Sequence, residues 1–219
     1  MPAPTPREIA DLPYVGYLEP LRGELRREGD YDSVHADGIT FADADVGSAR
    51  FTESAFSSVQ FTGGRMRRAR FNDVWLHAVR WVGTDLAESN WLDAEIIASA
   101  LAGVEVFSAE LRRVSFFNCK FDSVNLRASS LQDVAFVDCL LRDVDFGGAK
   151  LAGVTFPGST LDGVRFGQAR LKKVDLRGAV ALGITDGIDA LKGATISSTQ
   201  LLDLAPTFAQ ALGVTVKDR

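Results

Sequence analysis

The sequence predicts an all-β solenoid with short helical caps, a rod of very short strands wound into four-sided coils. Three observations predict it. Every fifth residue from Tyr31 to Leu176 is apolar, thirty positions without an insertion or deletion, and 11 of the 14 phenylalanines fall on these positions. The residue two before each of these centres is small or β-branched, as at Val34, Ala49, Ser54, Val59, Cys119 and Val144. A period of twenty lies inside the period of five. Gly29, Ala49, Ala69, Ser89, Ala109, Ser129, Ala149 and Ala169 are all very small, whereas the column five residues on is mostly valine: Val34, Val74, Val114, Val134, Val154 and Val174. Self-similarity at a fixed period marks stacked units, each of which buries its apolar face only against its neighbours.

Each element follows in chain order. Residues 1–28 read as an N-terminal helical cap, with Ile9, Leu12, Tyr14, Leu18, Leu21 and Leu25 at approximately helical spacing, because the raw edge of a stack of strands needs cover. Over residues 29–180, two inward positions lie two residues apart and a step of three follows. That spacing describes a short strand and then a corner. Glycine recurs two residues after the centre, at Gly38, Gly63, Gly83, Gly103 and Gly148, where a tight turn needs permissive backbone. If like residues stack on like, four five-residue sides close one coil, giving just over seven coils and a rod roughly 35 Å long at ~4.8 Å per rung. Residues 181–219 form the C-terminal cap. Ala194-Thr195-Ile196 briefly recovers the register, Ser197 or Ser198 offers an N-cap for a helix over about 199–212, and Gly213 stops it. Pro206 is expected to divide that helix in two.

The stretches Val144-Asp145-Phe146-Gly147-Gly148 and Ala149-Lys150-Leu151-Ala152-Gly153 resemble the pentapeptide repeat family, and the resemblance covers residues 29 to about 178. It implies a right-handed quadrilateral β-helix with each centre and its i−2 neighbour inward. It also implies partners. Some members, including the quinolone-resistance Qnr type, bind DNA gyrase or topoisomerase IV as DNA mimics, dimerise through a C-terminal helix and protect the enzyme from inhibitors. The projecting loops of several resistance proteins have no counterpart here, since the register never breaks between Tyr31 and Leu176; loop-free members exist in the gyrase-binding group.

Composition narrows the function further. A net charge of −5 argues against direct nucleic-acid binding, which needs a surplus of Lys and Arg. The start, Met1 to Pro6, has neither the charged nor the apolar region of a signal peptide, and no apolar stretch approaches the ~18 residues of a membrane span. A cytoplasmic protein is the expectation. His35 and His77 point outward, no nucleophile or phosphate-loop motif occurs, and no metal-ligand spacing is present. No catalytic residue, cofactor or metal is therefore expected. Cys119 and Cys139 stack on adjacent coils as small reduced fillers, although a bridge between them is geometrically conceivable.

Function is then sought on three surfaces. Residues 30–110 carry 13 acids against 6 bases and residues 111–177 carry 7 against 11, so the rod is acidic at one end and basic at the other. Glu53, Asp73 and Asp93 fall twenty apart on one edge, opposed by Arg50 and Arg70, and Asp45, Asp85 and Glu105 complete an acidic partner-binding surface. The acidic half reaches roughly one net charge per 3 Å, within a factor of two of DNA. Trp75, Ile97, Phe117 and Val137 form an exposed apolar contact patch. Leu201, Leu202, Leu204, Phe208 and Leu212 exceed what a short cap needs and are read as a homodimer contact. The expected function is protein binding, with DNA gyrase or topoisomerase IV as the sharper reading and a generic scaffold or adaptor as the alternative.

Overall fold

The computed structural model describes residues 4–217; Met1–Ala3 and Asp218–Arg219, the outermost residues of the two predicted caps, lie outside it. The chain forms a parallel β-solenoid of about eight turns with a short C-terminal helix. The predicted centres point inward. Phe51, Phe71, Leu76, Trp81, Phe136, Phe146 and Phe166 are fully buried, as are the small i−2 residues Ala49, Ser54, Ala69, Val74 and Val144. Rings at twenty-residue spacing stack face to face. Tyr31, Phe51, Phe71 and Trp91 make one column with centroids 4.9, 5.1 and 3.8 Å apart, and Phe116, Phe136 and Phe156 make another at 5.0 and 5.1 Å. The columns do what the pattern demands: each apolar residue is covered by its counterpart one coil up and one coil down.

The four sides are not alike. Sides 1, 2 and 3, centred on Tyr31, Ala36 and Phe41 and their twentieth successors, are parallel sheets of eight, seven and eight strands. Side 4, centred on Val46, Met66 and Leu86, has only isolated bridges such as Asp45 to Arg65 and Arg65 to Asp85 until the last coils, where strand Thr160–Arg165 runs onto it. On several of these rungs a local hydrogen bond holds the bend. Asp45, Asp85 and Asp145 each accept the N–H two residues on, from Gly47, Ala87 and Gly147 at 3.1, 3.0 and 2.8 Å. Such a turn bends the backbone before a strand can extend.

At most corners the residue two after the centre adopts a left-handed backbone, glycine or not. Asp43, Glu53, Ala78, Asp93 and Asn118 all have φ near +50°, so the fold imposes a conformation that the side chains alone disfavour.

Both ends differ from expectation. The solenoid does not stop at residue 180, because Ala181–Asp186 pairs with Thr160–Arg165 and Ala194–Thr195 pairs with Val174–Asp175. Thr160 faces Ala181, an offset of twenty-one, and the exposed Val180 sits at the extra residue. The N-terminal cap is not an α-helix. It consists of 3-10 turns at Ile9–Asp11 and Val15–Tyr17 and a two-residue strand, Glu19–Pro20, that pairs with Val34–Asp37 at the top of side 2. At the far end the helix α1, Ser198–Ala211, runs unbroken through Pro206. Ser197 caps it, and the buried Gln200 side chain donates to the Leu176 and Ala179 carbonyls of the coil beneath, at 2.8 and 3.1 Å.

Candidate partner-binding surfaces

The six predicted acidic residues do not form one surface. Glu53, Asp73 and Asp93 lie on the corner between sides 1 and 2, while Asp45, Asp85 and Glu105 lie on side 4, with side 1 between them. The side-4 carboxylates are also largely occupied. Asp45 and Asp85 hold their own turns, Arg27 lies 4.0 Å from Asp45 and Arg67 lies 3.7 Å from Asp85, and Glu105 accepts from Asn125 at 2.6 Å. Asp145 shows how far this goes: burial pushes its carboxyl up, but the Gly147 N–H with Arg127 and Arg165 more than offset this and hold it below the usual range.

The corner ladder is different. Three acids occupy three successive coils, and Arg113 grips only the last of them, donating from Nε to Asp93 at 2.6 Å. Arg50 and Arg70, predicted to neutralise the column, form no ion pair among the described residues. Partial burial, and then the neighbouring Asp93 charge, raise the Asp73 carboxyl above its ordinary range.

The apolar patch is not exposed. Trp75, Ile97, Phe117 and Val137 are 4, 8, 1 and 8% exposed, because the chain's own N-terminal segment lies across them. Ile9, Leu12, Tyr14 and Leu18 pack on this face of side 2 together with Ala55 and Ala135. Polar contacts at Arg7 fix the strap at its outer end. Its carbonyl accepts the Trp75 indole N–H at 3.0 Å, and its Nε and backbone N–H donate to Glu95 at 2.8 and 3.1 Å. Sequence reasoning missed Arg7 and Tyr14 as members of this face. The available signal was the apolar column Ile97, Phe117 and Val137 at twenty-residue spacing, together with the upstream residues Ile9, Leu12, Tyr14 and Leu18, whose spacing reads as an end cap.

The dimer residues split in two. Leu204 is buried and Phe208 is half-buried against the last coil, so these two serve the cap, whereas Leu201, Leu202 and Leu212 are exposed with Val214 and Val216 beside them. Elsewhere, His35 meets the Ser57 hydroxyl at 2.9 Å and His77 stacks on Trp75. Both cysteines are free and buried. Among the described residues no cluster of three or more His, Cys, Asp or Glu has the geometry for a metal, and no helix is long and apolar enough to cross a membrane.

A match to one family model agrees with this architecture. Residues 89–166 match the model of a pentapeptide repeat region. No curated protein matches the chain. Among solved structures it is similar to trypsin-treated QnrB1, a plasmid-mediated fluoroquinolone resistance protein, at 18% identity and TM-score 0.45, over 89% of this chain and 95% of that one. It is also similar to HetL, a pentapeptide repeat protein involved in heterocyst differentiation regulation in the cyanobacterium Nostoc sp. strain PCC 7120, at 18% identity and TM-score 0.30, over 78% and 90%. A pentapeptide repeat protein of the Arabidopsis thaliana thylakoid lumen matches at 17% identity and TM-score 0.37, over 57% and 73%.

Proposed function

Because this rod is built of pentapeptide repeats, we propose that it is a non-enzymatic, cytoplasmic protein-binding β-helix that docks a cationic, DNA-binding surface of DNA gyrase or topoisomerase IV on its side 1–2 corner. The observation that carries the reading is the ladder Glu53, Asp73 and Asp93. Like charges on neighbouring strands cost stability, and partial burial and the Asp93 charge raise the Asp73 carboxyl above its ordinary range despite the opposing charges of Arg7 and Arg113. A cationic partner offsets that cost. The ladder presents one charge per ~4.8 Å rung, close to the one per 3.4 Å along a single DNA strand. Dimerisation through the exposed Leu201, Leu202 and Leu212 would set two such ladders in one assembly, and the same apolar end is what an adaptor would use.

The test joins activity to stability. A raised folded pKa means that the folded state binds the Asp73 proton more tightly than the unfolded chain does. Removing the charge should therefore stabilise the protein at neutral pH, and the gain should fade as pH falls through the carboxylate range. Asp73→Asn is expected to raise Tm at pH 7 while weakening any inhibition of gyrase supercoiling or protection from a fluoroquinolone; Glu53→Lys with Asp73→Lys should abolish it. Full activity in the folded double variant, or no gyrase effect of the native protein at micromolar concentration, rules the partner out and leaves the adaptor reading.

A further inference from the structure

The acidic half contains a basic edge. Of its six bases, five (Arg50, Arg65, Arg67, Arg68 and Arg70) gather where side 4 turns into side 1, and Arg27 joins them from the preceding coil. A glycine opens this edge. The outward column on side 4 reads Arg27, Gly47, Arg67, Ala87, Phe107, so one rung between two guanidinium groups carries no side chain. The resulting notch, about 330 Å³, is lined by Arg27, Arg65, Arg67, Arg68 and Ser48, and it continues past Ser48 and Arg68 into a second cleft of about 460 Å³ bordered by Arg50 and Arg70.

Local ion pairs orient the guanidinium groups without saturating them. Arg68 and Arg67 meet Glu88 at 2.8 and 3.1 Å, and the Glu88 carboxyl is held below its usual range by its hydrogen bond to Arg68 and by the charges of both arginines. Each guanidinium has five donors, so most remain free. Arg50, Arg65 and Arg70 form no ion pair among the described residues. Arg50 and Arg70 stand directly opposite each other in the parallel ladder, an arrangement that repels unless an anion bridges it. Six arginines face five acids around the two clefts (Glu28, Asp30, Asp45, Glu88 and, paired with Arg67, Asp85), so this edge stays net positive in a half-rod that is otherwise strongly acidic. That positive excess attracts an anion, and most strongly a phosphomonoester, which carries close to −2 at neutral pH. A phosphodiester carries half as much. The arginine fork also suits phosphate oxygens better than a point charge does.

We propose that the Gly47 notch is a binding site for a phosphomonoester group, held by Arg65, Arg67 and Arg68 with Arg27 closing its upper end. It is separate from the acidic ladder on the opposite corner of side 1. Calorimetric titration of the full chain with phosphoserine, inorganic phosphate and a short DNA duplex tests it. Phosphoserine is expected to bind, and Arg65→Ala and Gly47→Leu are each expected to weaken it about tenfold or more. Gly47 needs no left-handed backbone; a Cβ there would lie 3.2 Å from Asp45 Oδ1, an approach that Ala87 already makes room for in the same turn over Asp85, so Gly47→Leu should fold, with circular dichroism and melting as the check. Tighter binding of phosphoserine than of inorganic phosphate supports a site for a phosphorylated partner; equal binding supports a site for the free anion. No binding of either at millimolar concentration, unchanged affinity in both folded variants, or tighter binding of the duplex than of phosphoserine overturns the proposal.

Discussion

Single residues in this rod answer to the coil above and below before they answer to their own neighbours in sequence. Gly64 makes the point. Its inward column otherwise holds Ala44, Thr84, Val104, Val124, Val144 and Val164, and by that pattern a larger residue belongs at position 64. The backbone says otherwise. Gly64 has φ +79°, and a Cβ there would lie 2.6 Å from the Ala44 carbonyl oxygen and 2.9 Å from its nitrogen, a collision with main chain that no rotamer relieves. Gly103 also has a left-handed backbone, but nothing lies within 4 Å of its would-be Cβ, and Ala78 and Ala98 already adopt the same conformation at other corners. Gly64→Ala should therefore cost roughly 2–4 kcal/mol and Gly103→Ala about 1 kcal/mol or less. Urea denaturation of the two variants side by side measures the contrast, and equal losses would mean that corner strain alone sets the cost.

At the scale of elements, the coils were legible in the sequence and their coverings were not. The period of five located the inward residues, and the period of twenty the sides, because both depend only on contacts at fixed separation. Trp75, Ile97, Phe117 and Val137 were legible as a column but not as a buried one, since what covers them is Ile9 to Leu18, dozens of residues upstream with no periodic relation to them. The final coil was hidden by one residue: with Thr160 facing Ala181 instead of residue 180, the every-fifth pattern fails although the stacking continues. Pro206 was misread because a proline deletes one hydrogen bond, whereas Gln200, Leu204 and Phe208 hold α1 on the rod from both sides of it. The strap makes a direct prediction. Truncation before Glu19 removes Leu12 and Tyr14 from the face of side 2 and unpairs the Trp75 indole. The coils should persist by circular dichroism while Trp75 fluorescence shifts to the red, an apolar dye binds and the chain self-associates. An unshifted spectrum in the truncated chain would mean that the face is covered by something other than the strap.

The whole molecule behaves as a one-dimensional stack, and that fixes which large changes it tolerates. Each coil touches only the next, so stability is close to a sum of coil and interface terms. The acidic and basic halves are then properties of which coils are present, not of a global shape. Excising one complete coil is the sharpest test. Deleting residues 130–149 joins Ser129 to Lys150, keeps every later residue on its own side and restacks Phe156 on Phe116 in place of Phe136, a contact of the kind already seen at 5.0 Å between Phe116 and Phe136. Deleting only residues 130–134 also preserves the period of five, yet it rotates every later residue by one side. The Asp145 turn of side 4 would move onto side 3, where it would have to stack on the extended strand Lys120–Asp122, and the small and large inward columns would no longer match across the joint. The twenty-residue deletion should fold with a modestly lower Tm and a single cooperative transition. The five-residue deletion, although it removes a quarter as much chain, should lose cooperativity or fail to fold. If both deletions melt alike, the coil of four distinct sides is not the unit that the energetics recognise, and the period of five alone would suffice to specify the rod.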